Sequence, residues 1–196
     1  MIGLQRNLFV VLIIGAMLAS CASPVTVAQR ALEERSTEDI TKDNEIVVDV
    51  NQLMAKYETV SVSTEIYEQR LVIYGLLSDK ATYDGFRGDS EAVPGVRQLH
   101  WHVVFMTEEE QKAKENEMLG FTGGLEVKAG IEKGWLDTEG INSLNYRVAV
   151  GPLGEAYVLG RAFTAAERDK ALGVVRGTSG VTKVVDYVEV RPKEGG

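Results

Sequence analysis

The sequence predicts an α+β fold made twice: two tandem αββαβ domains, each a three-stranded mixed sheet covered by two helices. Three observations carry this. Tyr157–Val181 reads as a strand, a capped helix of about a dozen residues, a glycine turn and a second strand, which is the crossover a parallel pair needs. The same grammar occurs earlier, from Val72 to Val96. Gly75 and Gly95 lie twenty residues apart, as do Gly160 and Gly180, with an offset of 85 between the copies. A fixed period with the same glycine punctuation is an internal repeat. Ahead of each crossover stands an alternating pair of strands, so each copy begins with a hairpin.

The elements follow in order. Ser36 with Asp39 marks a capped start, and Ile40, Val47, Val50, Met54 and Tyr57 recur at helical spacing, which predicts a first helix to about Lys56. Val60, Val62, Thr64 and Ile66 alternate, then Leu71 and Ile73 against Val72 and Tyr74, so a hairpin turns near Glu68-Gln69. A second helix over Asp79–Ala92 is weakened by Gly85 and Gly88, each costing about 1 kcal/mol against alanine. Strand Val96–Met106 puts Leu99, Trp101, Val103 and Phe105 on one face, His100 and His102 on the other. Thr107 and Glu110 suggest a capping box in a charged linker that is helical in part.

In the second copy, Val127, Ile131 and Trp135 form one stripe of a helix over Leu125–Leu136. Gly130 and Gly134 lie inside it with no local reason. Tyr146, Val148 and Val150 make a strand, Gly151-Pro152-Leu153-Gly154 a turn, and Thr164 with Glu167 opens the helix that ends at Gly177. Strand Val181–Val190 completes the copy. The predicted domains are 36–106 and 123–193, joined by a linker over 107–122, with a short tail over 194–196. Gly75 and Gly160 are expected where a strand hands over to a helix, at a bulge or close backbone approach. Gly95 and Gly180 are expected as left-handed caps just past a helix.

At the N-terminus, Arg6 precedes an apolar run, Leu8–Ala19, broken only by Gly15. A basic start, about a dozen apolar residues and small residues before Cys21 read as a secretory signal over 1–20. An uncleaved anchor is the alternative, but Ser20, Ser23, Pro24 and Thr26 interrupt a span of roughly 20 residues. Cys21 is the only cysteine, so no intramolecular disulfide can form. Residues 21–35 read as a tether.

Charge is uneven. Ser36–Met106 carries twelve acidic and six basic side chains, Thr107–Asn142 nine and four, and Ser143–Lys193 five and eight. In an exported chain the partner of the basic part is a lipid headgroup rather than nucleic acid, each basic residue contributing about 1 kcal/mol near an anionic surface. The alternative is that these are solvated side chains on a helix and its flanking strands. The His100-x-His102 pair places two imidazoles roughly 6.5 Å apart on a strand. Zinc needs three or four ligands, and these are the only histidines, so a polar strand face is the simpler expectation. Trp135 beside Lys128 and Lys133 suits either a core or a membrane interface. No nucleophile elbow, phosphate loop or complete metal set occurs, so no catalytic residue and no cofactor are expected.

Leu18-Ala19-Ser20-Cys21 resembles the lipobox of bacterial lipoproteins, which implies cleavage before Cys21 and its acylation. Ala22 in the next position resembles the outer-membrane sorting pattern. The doubled pattern of hairpin, glycine, helix, glycine-valine and final strand resembles the BON domain family, and with the lipobox it looks like the dual-BON lipoproteins. It is clearest at Val158-Leu159-Gly160, Ser179-Gly180-Val181 and Val184-Val185-Asp186-Tyr187. The resemblance implies a non-enzymatic protein on the periplasmic face of the outer membrane. It would bind anionic phospholipid through the first helix of its second domain and support envelope integrity. Lys128, Lys133, Trp135, Leu136 and Arg168 are the candidate lipid-contacting residues. The family's membrane-contacting aromatic comes early in that helix, whereas Trp135 comes late. A protein-binding, chaperone-like adaptor whose only membrane contact is the acyl anchor is the alternative, with an outer-membrane protein or assembly machinery as its partner.

Overall fold

Ser36 opens the first helix because its hydroxyl accepts the Asp39 amide at 3.0 Å. Helix α1 then spans Thr37–Lys56. It is followed by strands β1 (Val62–Tyr67) and β2 (Arg70–Leu77), paired antiparallel. Glu68 and Gln69 form the two-residue turn with φ of 50° and 59°, the twist that such a hairpin requires. The buried carboxylate of Asp43 on α1 accepts both turn amides, at 2.9 and 2.7 Å, and Arg35 Nη1 at 2.6 Å. Helix α2 (Lys80–Glu91), capped by Asp79, crosses over to β3 (Gln98–Phe105), which runs parallel to β2. The sheet order is β1-β2-β3.

The computed structural model describes residues 34–193. The expected signal segment, Cys21, the tether as far as residue 33 and the tail 194–196 lie outside them. After β3 comes α3 (Glu108–Ala113), opened by the Thr107–Glu110 capping box, and the second copy repeats the pattern. Its elements are α4 (Phe121–Asp137), β4 (Tyr146–Val150), β5 (Glu155–Ala162), α5 (Ala165–Gly177) and β6 (Lys183–Val190), with sheet order β4-β5-β6. Again the hairpin pair is antiparallel and the crossover pair parallel.

Alternation along the strands sorts the side chains into three cores. Leu71, Ile73 and Val103 face α1 and α2, packing with Ile46, Val50 and Phe86. Val148, Val158 and Val188 face α4 and α5, packing with Ile131, Trp135, Leu172 and Val175. The opposite faces of the two sheets, with Tyr67 and Val72 from one and Ala149, Tyr157 and Leu159 from the other, form the third core between them. The result is four layers, helices–sheet–sheet–helices. Each large apolar side chain withdrawn into that seam contributes roughly 1.5–3 kcal/mol. Ion pairs span its margin: Arg191 with Glu68, Arg97 with Glu189 at 3.0 Å, and Lys128 with Glu65. Within it, buried Arg70 donates to the carbonyls of Gly160, at 2.9 Å, and Tyr187.

The structure changes several expected boundaries and roles. Gly75 and Gly160 do not end their strands; each lies inside one, at φ of 136° and 146°. A Cβ there would collide with the carbonyl oxygen of Ser61 or of Asn145, so the close approach is to the neighbouring strand's backbone. Gly95 and Gly180 do have positive φ, 81° and 87°, but the helix caps are Ala92 and Thr178, and these glycines serve the turns that follow. Helix α4 begins at Phe121 rather than Leu125, absorbing Gly123-Gly124. His100 and His102 face the seam rather than solvent. Gly160→Ala is therefore expected to destabilise the fold by about 3 kcal/mol. Gly88→Ala, on an exposed helical surface with open space at its Cβ, should stabilise it by roughly 0.5–1 kcal/mol. Urea denaturation of the two variants checks both signs.

Candidate functional site

Helix α4 buries one stripe and exposes another. Val127, Ile131 and Trp135 repeat every fourth residue and enter the core. Trp135 is 1% exposed, and its Nε1 donates to the Ala171 carbonyl at 3.0 Å. It is a core residue, which removes it from the candidate lipid contacts: its indole is occupied on α5. Gly130 and Gly134 now have a reason. A Cβ at either would stand 3.3 Å from the Thr178 methyl or 2.6 Å from Val174 Cγ1, so α5 lies close against this flank.

Three of its exposed side chains are large and apolar. Phe121 is 82% exposed, Leu125 51% and Leu136 73%. Phe121 and Leu125 are one turn apart, and Leu125 to Leu136 is close to three whole turns, so the three fall on one line along the helix. A helix expected only from Leu125 leaves Phe121 outside it. The available signal was an aromatic four residues before Leu125.

The cations expected to serve this helix are mostly committed. Lys128 reaches across to Glu65 on β1, and Lys133 pairs with Asp137 one turn on. Burial alone would push the Lys128 ammonium down, but the Glu65 carboxylate outweighs it and holds the group above its ordinary value. Arg168, on α5, donates through Nε to Asp186 at 2.7 Å. Glu126 and Glu132 are exposed on α4, and Lys170 and Arg176 are exposed on the neighbouring α5. The helix layer is thus mixed in sign, and its distinguishing feature is the apolar line. The five candidate residues do not form one cluster: only Lys133 and Leu136 are both exposed and on α4.

Elsewhere, His100 and His102 stack on Tyr187 and Tyr157, with ring centroids 3.6 and 3.9 Å apart. Among the described residues no three His, Cys, Asp or Glu side chains are grouped to hold a metal. No described helix is long and apolar enough to cross a membrane.

The family described as BON domain matches residues 126–192. Residues 126–192 form a BON domain. That span takes in α4 from its second turn through β6, and the first copy has the same αββαβ order and sheet topology. No curated protein matches the chain. Among solved structures, two of CdsD, described as a structural protein of the type III secretion system of Chlamydia trachomatis, are remotely similar. Each is 12% identical with a TM-score of 0.31; they cover 76% and 75% of this chain and 93% and 98% of their own.

Glu65→Gln is expected to destabilise the protein by roughly 1–2 kcal/mol at neutral pH by leaving a partly buried ammonium without its charge partner. Breaking the exposed Lys133–Asp137 pair should change stability by less than about 0.5 kcal/mol. Since Lys128 is raised in the folded protein, its contribution holds below 10.5, its ordinary value, and fades only as pH climbs through the folded value. Denaturation midpoints at pH 7 and in alkali measure both effects.

Proposed function

We propose that this chain is a non-catalytic envelope lipoprotein, held by acyl groups on Cys21 at the periplasmic face of the outer membrane. Its BON domain binds anionic phospholipid through α4 and so supports membrane integrity. The observation that carries the reading is the exposed line of Phe121, Leu125 and Leu136 on an otherwise well-packed helix. Isolated surface apolar residues need no explanation, but three aligned ones including an aromatic mark a surface made to be covered. Laid on a bilayer, the line would enter the headgroup–acyl boundary as an interfacial helix does. Lys133 is exposed on the same helix, where a cation meets anionic headgroups. The resemblance to dual-BON lipoproteins supports the same reading, because Phe121 supplies the early aromatic that Trp135 does not.

Apolar insertion does the larger part of the work here, with charge as a modifier. Lys128 and Arg168 take little part, being held by Glu65 and Asp186.

The test is co-sedimentation of residues 34–193, which lack Cys21, with vesicles with and without acidic phospholipid, at two salt concentrations. Binding is expected, stronger with acidic lipid and only modestly reduced by salt. Phe121→Ser with Leu125→Ser should abolish it while Lys128→Gln leaves most of it. No binding to either vesicle would move the reading to a protein-binding adaptor with the acyl anchor as its only membrane contact.

A further inference from the structure

The seam between the two sheets holds both histidines of the chain, and it separates two cores that are each complete without it. His100 is 9% exposed; its ring lies flat on Tyr187, and its Nε2 is buried with no hydrogen-bond partner among the described residues. His102 lies flat on Tyr157, and its Nε2 is 2.8 Å from the Tyr187 hydroxyl. Both rings come from β3 and both tyrosines from the other repeat, so every one of these contacts joins one repeat to the other.

We propose that this seam is an acid-sensitive joint: protonation of His100 and His102 loosens the two repeats from each other while each keeps its own core.

The charged and titratable groups around the rings decide the sign. Against His100 stand Tyr187 of β6, His102 of its own strand and the buried guanidinium of Arg70 on β2. Arg70 is in turn faced by Glu189 and Glu68, and by Arg97 and Arg191. Against His102 stand Tyr157 and Glu155 of β5, Tyr187 and Lys183 of β6. Two imidazolium ions on one strand face would repel each other. The nearest fixed charge to His100 is positive, and no carboxylate is hydrogen-bonded to either ring among the described residues. Glu155 alone favours a proton on His102, and Lys183 opposes it. In agreement, burial first, then His102 and Arg70, lower His100 from 6.5 to about 4, and burial lowers His102.

A base whose pKa is depressed in the closed form binds more protons once the joint opens. The closed form is therefore fully favoured above the ordinary histidine value of 6.5 and loses ground as pH falls towards about 4 for His100. In that window His100 lowers the closed-to-open ratio by up to roughly tenfold per pH unit, and His102 acts in the same direction. Opening would expose Val72, Tyr74, Tyr157, Leu159 and Tyr187 and release the Arg70 bonds to the Gly160 and Tyr187 carbonyls.

The test is hydroxyl-radical footprinting of the full chain in non-ionic detergent between pH 7 and 4.5, read by mass spectrometry at individual side chains. Labelling of Tyr157 and Tyr187 is expected to rise several-fold on acidification while that of buried Trp135 and half-buried Trp101, packed on the separate cores, stays unchanged. In the His100→Gln/His102→Gln variant the tyrosine labelling should be flat over the same range. Three results would overturn the proposal: no rise in the parent protein, the same rise in the double variant, which would assign it to groups other than the histidines, or tryptophans and tyrosines rising together, which is global unfolding. If the double variant does not fold, the imidazole proton resonances of the parent protein decide. Titration well below 6.5 is required, and titration at the ordinary value rejects the joint.

Discussion

The joining of the two repeats depends on β2 and β5 being covered on both faces. Each is the central strand of its sheet, and its run of apolar residues leaves no face suited to water. A two-layer αββαβ unit covers only one face. Duplication solves this by setting the two uncovered faces against each other, which turns two small units into a single four-layer body. The same arrangement explains why Arg70 is buried. As the first residue of β2 it faces the seam, and its two terminal nitrogens donate to carbonyls of the opposite repeat in place of water, while its Nε lies 3.6 Å from the Glu189 carboxylate.

The second constraint is the spacing of α4 and α5. Glycines at 130 and 134 let the helices approach until side chains of α5 occupy the room a Cβ would need. That closeness lets the Trp135 indole reach the Ala171 carbonyl. It also fixes the rotation of α4: with Val127, Ile131 and Trp135 turned inward, Phe121, Leu125 and Leu136 have nowhere to go but outward. The exposed apolar line is thus a geometric remainder of tight packing on the other side, and its persistence on the surface is what makes it informative.

Much of the fold was legible in the sequence. The caps at Ser36, Thr107 and Thr164, the hairpin at Glu68-Gln69 and the parallel crossovers are written in local chemistry, and the structure agrees with them. The misreadings have one source, which is that a glycine says a Cβ is unwelcome without saying why. Gly75 and Gly160 were read as punctuation, yet they sit mid-strand beneath a neighbouring backbone. The helix expected from Leu125 begins at Phe121, with Gly123-Gly124 in its first turn, so the later start leaves Phe121 out. The candidate site was legible only in part. Periodicity gave the Trp135 stripe but not its direction, and nothing local tells Lys128 that its partner is Glu65, 63 residues away. The role of His100 and His102 in joining the repeats needed the second sheet to be seen.

The strap at the start of the described chain has a topological consequence. The Glu34 amide donates to Asn145 at 3.1 Å and its carboxylate pairs with Lys193 at 3.1 Å, while Arg35 binds Asp43 on α1. The polypeptide therefore returns to where it set out, and the two halves form a nearly closed ring with α3 as its only other bridge. In such a ring the order of the halves is an accident of where the circle is cut. A chain opened near α3 and joined from Lys193 to Glu34 would keep every strand pairing and every layer, with only the order of the two repeats exchanged.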